Sequence, residues 1–420
     1  MQKLVVSGGN RLGGEIELQG AKNSVLPLLA ASVLCGGRVT FTGCPKISDR
    51  YAAMRILNHL GCSAEGRDGT VTVNSETITS ADIPDELMRE TRCSVIFMGA
   101  LLGRCEQCRL SLPGGCNLGP RPIDYHIAAL TAMGAEISEK HGEIICSAPD
   151  GLHGARIALT FPSVGATENI ILAAVLAEGE TVITNAAREP EIIDLADFLN
   201  SCGAHIRGAG SGTIIIGGVK RLRSDTEYRV MPDRIACATY LSYTAACGGE
   251  ILIKDCEPSH MDAILSVVEQ MGCSVKIFGK NIYLSRTGAL KSVGTIRTMV
   301  YPGFPTDAQA VIMIPLCLAE GTTLFVENIF ENRYRHTGEL QRMGADIRAE
   351  GKVAVVSGVK RLYGAKTEAP DLRGGAALVG AALCAEGTSE ISRAEYIDRG
   401  YEDIEGVIRS LGGRISRVYS

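Results

Sequence analysis

The sequence predicts an α/β fold made of six similar units, and two observations carry that reading. A short phrase recurs along the chain: LGCSAE from Leu60, MGAEIS from Met133, CGAHIR from Cys202, MGCSVK from Met271, MGADIR from Met343 and LGGRIS from Leu411. Its glycines, Gly61, Gly134, Gly203, Gly272, Gly344 and Gly412, are 73, 69, 69, 72 and 68 residues apart, so six copies fill the 420-residue chain. The second observation is the pattern between copies, in which helical and strand-like stretches alternate.

Each element has a local cause. Ala-rich apolar segments such as NSVLPLLAASVLCGG and ENIILAAVLAEGE read as buried helices closed by glycine. The β-branched runs TVITN, EILIKD and TTLFVEN read as strands. A second, amphipathic helix ends at the repeated glycine, as in HMDAILSVVEQMG, where apolar residues fall at helical spacing. The phrase then runs into a strand, and stretches such as VKIFGKNIYLS form a hairpin. Six such units fit a ring or two lobes of three; two lobes offer a cleft for ligands. No Pro/Ser-rich linker marks a boundary.

Composition narrows the function. The chain is long enough for two or three domains, and 45% hydrophobic with 21% charged residues is ordinary for a globular protein. A net charge of -5 speaks against nucleic acid as a partner but leaves room for a local anion site. MQKLVVSGGN lacks a signal-peptide pattern, and no run reaches the ~18 apolar residues of a membrane span, so a cytoplasmic protein without a membrane partner is expected. Most of the fifteen cysteines sit in apolar contexts and read as small buried hydrophobes. Cys105 and Cys108 make one CxxC without a second pair, which speaks against zinc. Nothing in the sequence signals an oligomeric state.

Polar residues recur where the buried helices begin: Lys22 and Asn23, Arg92, Ser163 with Thr167, Glu168 and Asn169, Asp233 and Arg234, Asp307, and Asp371 with Arg373. Helix capping accounts for Ser163, Asp233 and Asp371. It does not account for the cations, which oppose the helix dipole at that end by a few tenths of a kcal/mol. An anionic ligand reverses that sign, because backbone N–H groups and cations then converge on it. FENRYRHTGEL, with Arg333 and Arg335, and EYIDRGYEDIEGVI, with Arg399 and Glu402, add cations beside acids; solvated i, i+3 or i+4 pairs are the plain account of Arg335 and Glu402. His59, His141, His153, His205 and His260 read as surface or structural residues.

The stretches QGAKNSVLPLLAA, LPGGCNLGPRPIDYHI, FPSVGATENI, AAREPEIIDLA, GFPTDAQA, FENRYRH, DLRGGAAL and IDRGYE closely resemble the UDP-N-acetylglucosamine 1-carboxyvinyltransferase family, in order, from residue 3 to about 418. The resemblance implies a two-lobed inside-out α/β barrel of six βαβαββ repeats, three per lobe. One lobe spans 22–230 and carries a mobile loop at 112–122; the other combines 1–21 with 231–420, and ligands bind in the cleft between them. It implies transfer of the enolpyruvyl group of phosphoenolpyruvate to the 3-hydroxyl of UDP-N-acetylglucosamine, the first committed step of peptidoglycan synthesis. That reaction releases phosphate by addition and elimination, and uses no metal and no organic cofactor.

Roles follow position by position from the same resemblance. Lys22, Arg121 and Arg399 match groups that hold the phosphate of phosphoenolpyruvate, Arg333 and Arg373 its carboxylate, and Asn23 a residue touching both substrates. Asp307 matches the carboxylate facing the attacking hydroxyl and is the general-base candidate. Arg92, Arg121, Pro122, Ile123, Asp124, Tyr125, Phe161, Pro162, Ser163, Val164 and Ile329 match the uridine-nucleotide positions. Phe161 and Tyr125 depart from the side chains common there. Cys116 matches a loop cysteine that protonates the methylene carbon, and a thiol of pKa about 8.5 beside arginine suits that task. Gly114, Gly115 and Gly119 give such a loop backbone freedom. Three rivals are a transferase with another acceptor, a non-catalytic UDP-sugar-binding paralogue and an RNA 3'-phosphate cyclase. The first conflicts with the nucleotide segments, the second with the retained Lys22, Cys116, Asp307, Arg333, Arg373 and Arg399. The third lacks nucleotide-activation chemistry here.

Overall fold

The computed structural model describes residues 2–90, 92–111 and 123–419, without the side chains of Arg92 and Cys93. Among the described residues the strands form six four-stranded sheets, and the chain divides into two compact units, 20–231 and 2–19 plus 232–419, outside the undescribed stretches. The architecture is α/β with mixed sheets.

All six sheets share one pairing rule. In the 20–231 unit, Arg156–Ala158 runs parallel to Glu180–Thr184, which pairs antiparallel with Thr213–Gly217, which pairs antiparallel with His205–Arg207. The recurring phrase is the joint between the amphipathic helix and that edge strand. Gly61, Gly134, Gly203, Gly272, Gly344 and Gly412 all have φ between 87° and 99°, a region that side chains disfavour, so glycine stops each helix and turns the chain.

Two sheets of the second unit need the first residues of the chain. Leu12–Glu17 runs parallel to Gly249–Lys254, and Gln2–Ser7 lies between Thr388–Ser392 and Arg414–Tyr419, antiparallel to both. In the other unit Thr226–Arg229 returns to run parallel to Arg38–Thr42, far from it in sequence.

Two kinds of helix follow from two residue patterns. Amphipathic helices such as Asp262–Gln270 bury one stripe, here Ile264, Leu265, Val267 and Val268. Helices without a polar face are buried almost throughout: Val164–Ala174 in one unit, and Arg234–Cys247, Thr306–Leu316 and Leu372–Cys384 in the other, where the three pack against one another. Small residues permit this. A Cβ on Gly99 would stand 2.3 Å from the carbonyl oxygen of Asn169, so helix Phe97–Cys105 meets Val164–Ala174 backbone to backbone. Burying such helices places their N-terminal N–H groups, and any charge beside them, in a low-dielectric setting.

Candidate active site

In the 20–231 unit the helix Lys22–Ala31 begins at Lys22, with no side-chain cap on its first turn. Lys22 is buried, and its Nζ lies 2.7 Å from Oδ2 of the equally buried Asp49. Removing either partner would take a buried ion pair from the other, which destabilises such sites. Asn23 is half-buried beside it. Ser24 donates to Asp194, whose other oxygen accepts from the Tyr228 hydroxyl at 2.8 Å. Burial pushes the Asp194 carboxyl up to about 6, against the lowering effect of the Ser24 and Tyr228 bonds.

Several positions expected to meet the nucleotide sit at further helix starts of this unit. Ser163 caps helix Val164–Ala174 and accepts from the Ala166 N–H at 3.3 Å. Pro162 and Val164 are half-buried, and Phe161 is exposed. Helix Asp124–Ala132 starts with an exposed Asp124, flanked by half-buried Ile123 and Tyr125. Arg92 opens the 3₁₀ turn Arg92–Ile96, ahead of the buried helix Phe97–Cys105. Cys116, Arg121 and Pro122, with the loop 112–122, lie outside the described residues.

The other unit gathers three of the named residues into one contact. Asp307, in the first turn of Thr306–Leu316, accepts from Arg333 Nη2 at 2.8 Å with Oδ1 and from Arg373 Nη2 at 3.0 Å with Oδ2. Both arginines are 3% exposed, while the Asp307 side chain keeps 27%. Arg333 also donates to the Thr306 carbonyl at 3.0 Å, and Arg373 to the Tyr401 hydroxyl at 3.4 Å. Burial works against the charge on Arg373, but Asp307, Tyr401 and Asp233 outweigh it and keep the guanidinium cationic. Asp371 caps helix Leu372–Cys384 through the Arg373 and Gly374 N–H groups, each at 2.9 Å, and Asp233 caps Arg234–Cys247 in the same way. Capping and cation delivery thus coexist at one helix start.

Three residues outside the sequence-derived set hold this arrangement. Glu327 is buried and accepts from the Ile329 and Phe330 N–H groups at 2.8 and 3.0 Å and from the Thr306 hydroxyl at 3.0 Å. It joins the half-buried Ile329 to the turn carrying Asp307. Arg417 grips Asp398 with two bonds of 2.7 and 2.6 Å and Glu405 with two of 2.5 and 3.1 Å. That fixes the turn Ala394–Arg399, at whose end Arg399 stands half-buried. Tyr401 lies within the IDRGYE stretch, beside Glu402 and two residues after Arg399, and an aromatic ring in so charged a stretch was a readable signal. Among the described residues no three His, Cys, Asp or Glu side chains are placed to hold a metal ion, and no helix is long and apolar enough to cross a membrane.

A carboxylate shared by two buried guanidiniums, one of them in the first turn of a buried helix, is the geometry of an anion-handling site. Known proteins give it a family. The family profile of EPSP synthase (3-phosphoshikimate 1-carboxyvinyltransferase) matches residues 6–408. A UDP-N-acetylglucosamine 1-carboxyvinyltransferase 2 of Caldanaerobacter subterraneus subsp. tengcongensis is 48% identical over 420 residues, covering all of both chains. The chain belongs to the UDP-N-acetylglucosamine 1-carboxyvinyltransferase family. A second member, UDP-N-acetylglucosamine 1-carboxyvinyltransferase 1 of Symbiobacterium thermophilum, is 46% identical over 99% of this chain and 95% of its own. Among solved structures, the enolpyruvyl transferase NikO from Streptomyces tendae aligns with a TM-score of 0.90 at 23% identity, covering 100% of this chain and 99% of its own. That likeness speaks for the fold.

Proposed function

We propose that this chain transfers the enolpyruvyl group of phosphoenolpyruvate to the 3-hydroxyl of UDP-N-acetylglucosamine and releases phosphate, in peptidoglycan synthesis in the cytoplasm. The observation that carries the reading is Asp307 held between Arg333 and Arg373. Full-length identity to relatives bearing that activity's name supports it. We also read each unit as an inside-out barrel of three βαβαββ repeats, supported by the shared pairing rule of the sheets.

The chemistry follows from the charges. Arg333 and Arg373 suit a carboxylate because each guanidinium presents parallel N–H donors. When the carboxylate of phosphoenolpyruvate takes these donors, Asp307 loses its two cationic partners and is released to accept the proton of the attacking hydroxyl. Lys22, Arg121 and Arg399 hold the phosphate and neutralise it as it leaves. Cys116 delivers a proton to the methylene carbon, and the carbon centre then carries phosphate and sugar oxygen together. As the bond to phosphate breaks, the new methyl group returns a proton to the Cys116 thiolate, which restores the carbon–carbon double bond. Asn23 touches both substrates. Arg92, Arg121 to Tyr125, Phe161 to Val164 and Ile329 hold the uridine nucleotide.

The test is phosphate release from phosphoenolpyruvate with and without UDP-N-acetylglucosamine. Release that needs both compounds and disappears in Lys22→Ala is the expected result. Equal release without the sugar nucleotide, or none above the Lys22→Ala background, would overturn the proposal.

A further inference from the structure

The chain carries many more thiols than the proposed reaction uses, and one buried pair is arranged for chemistry. The Cys35 thiol donates toward Cys202 Sγ at 3.8 Å, between positions 167 residues apart in sequence. Cys35 ends the 3₁₀ turn Ser32–Cys35 that continues the Lys22 helix, and Cys202 caps the helix Pro190–Ser201. Both residues are buried, at 4% and 0% exposure. A cation stands next to them: a Cβ on Gly36 would lie 3.2 Å from Arg104 Nη2, and the Arg104 charge favours the Cys35 thiolate.

The two sulfurs are not equivalent. The bond from Cys35 pulls the Cys202 thiol down to about 7, aided by the Thr226 and Ser201 hydroxyls and opposed by burial. The same contact and burial push Cys35 up. One sulfur is thereby set as nucleophile and the other as a proton-bearing partner, the division a thiol pair needs. Two other thiol pairs are close. Cys108 and Cys146, opposite each other on antiparallel strands, share the asymmetry, with Cys108 pushed up and Cys146 down, but without an arginine acting on them. In Cys237 and Cys256, at 4.0 Å, the hydrogen bond and burial push Cys237 up.

We propose that Cys35 and Cys202 are a peroxide-responsive thiol pair that closes to an intramolecular disulfide. The Cys202 thiolate attacks one oxygen of hydrogen peroxide; the O–O bond breaks, and the departing hydroxide takes a proton and leaves as water. Cys202 is left as a sulfenic acid. The Cys35 sulfur attacks the Cys202 sulfur, the S–O bond breaks, and that hydroxide leaves with the Cys35 proton as a second water. The two thiols give up two electrons and peroxide takes them. The sulfurs must close from 3.8 Å to about 2.05 Å, a movement of side-chain torsions at two helix ends. The product ties the far end of the Lys22 helix to the helix Pro190–Ser201.

The experiment exposes the full-length protein to hydrogen peroxide, blocks remaining thiols by alkylation under unfolding conditions, and maps linked peptides by mass spectrometry without reduction. A Cys35–Cys202 linkage that dithiothreitol reverses is expected. A rise in melting temperature of about 5 °C should accompany it, because the bond closes a long loop in the unfolded chain. Cys35→Ser and Cys202→Ala should each lose both the linkage and the rise, and either variant that folds suffices. Recovery of both cysteines as alkylated thiols, or linkage at Cys108–Cys146 or Cys237–Cys256 in their place, would overturn the proposal. The outcome is independent of the proposed reaction.

Discussion

Replacing Asp307 by asparagine removes a charge and leaves the shape, so its effects separate two duties of one carboxylate. In the free protein Oδ1 and Oδ2 each accept from a buried guanidinium, at 2.8 and 3.0 Å. The amide oxygen can still accept from Arg333. The amide nitrogen then faces Arg373 Nη2 donor to donor, and two cations of 3% exposure lose their shared counter-charge. A charge-assisted bond is worth about 1.5–3 kcal/mol, and an unpaired buried charge costs more. Thr306 and Tyr401 remain as partners of the two arginines, which limits the loss to about 3 kcal/mol. For a unit of this size that lowers the melting temperature by about 6–12 °C. Phosphoenolpyruvate brings a carboxylate of its own, so it should raise the melting temperature of Asp307→Asn at least as much as that of the unaltered protein. Turnover should nonetheless fall about 100-fold or more, as expected when a general base is lost. Calorimetry with and without phosphoenolpyruvate, beside the phosphate assay, reads all three quantities. A melting temperature within about 1 °C of the unaltered protein would refute the electrostatic account. Unchanged turnover would refute the base assignment.

Three further perturbations follow from the geometry. Asp194 has a folded-state pKa raised to about 6, so the folded chain holds its proton more tightly than the unfolded chain does; stability should therefore fall as pH rises from about 4 to about 6, by about 3 kcal/mol. Asp194→Asn should flatten that slope in denaturant titrations, and an unchanged slope would count against it. Alanine at Gly61 or Gly272 meets the same strained φ, 97° and 94°, costing about 1–2 kcal/mol. At Gly61 it also stands 2.7 Å from the Thr79 backbone nitrogen, whereas at Gly272 the nearest atom is 3.5 Å away, so Gly61→Ala should be the more destabilising in urea unfolding. Arg417→Met leaves Asp398 and Glu405 without their cation and should cost about 3 kcal/mol. It should also raise the KM for phosphoenolpyruvate more than that for UDP-N-acetylglucosamine, since the Arg399 turn hangs on Asp398; equal effects on both would contradict that link.

What could be read from the sequence divides along local and non-local lines. The repeated glycine is legible because one backbone conformation, near φ +90°, demands it at each helix end. The buried helices show as Ala-rich runs without a polar face, and cations at their starts stand out because they oppose the dipole. Arg373 was legible in this way and Arg333 as a cation beside acids in FENRYRHTGEL, but the carboxylate shared between them was not, since Asp307 reaches one across 26 residues and the other across 66. Asp49 beside Lys22, Glu327 beneath Ile329 and Arg417 behind Asp398 left no motif, because each makes its contact from another element. The same limit hid the first two strands, whose partners lie more than two hundred residues away. Roles for Cys116, Arg121 and Pro122 came from resemblance alone, and they remain part of the proposal.

The central claim is that one enolpyruvyl group moves from phosphoenolpyruvate to the sugar nucleotide. Mass spectrometry of the nucleotide pool after incubation with both compounds tests it most directly. The account predicts a UDP-N-acetylglucosamine species heavier by one enolpyruvyl group, formed in step with phosphate and absent with Lys22→Ala. Phosphate without that species, or an unchanged nucleotide pool with folded protein, would contradict it.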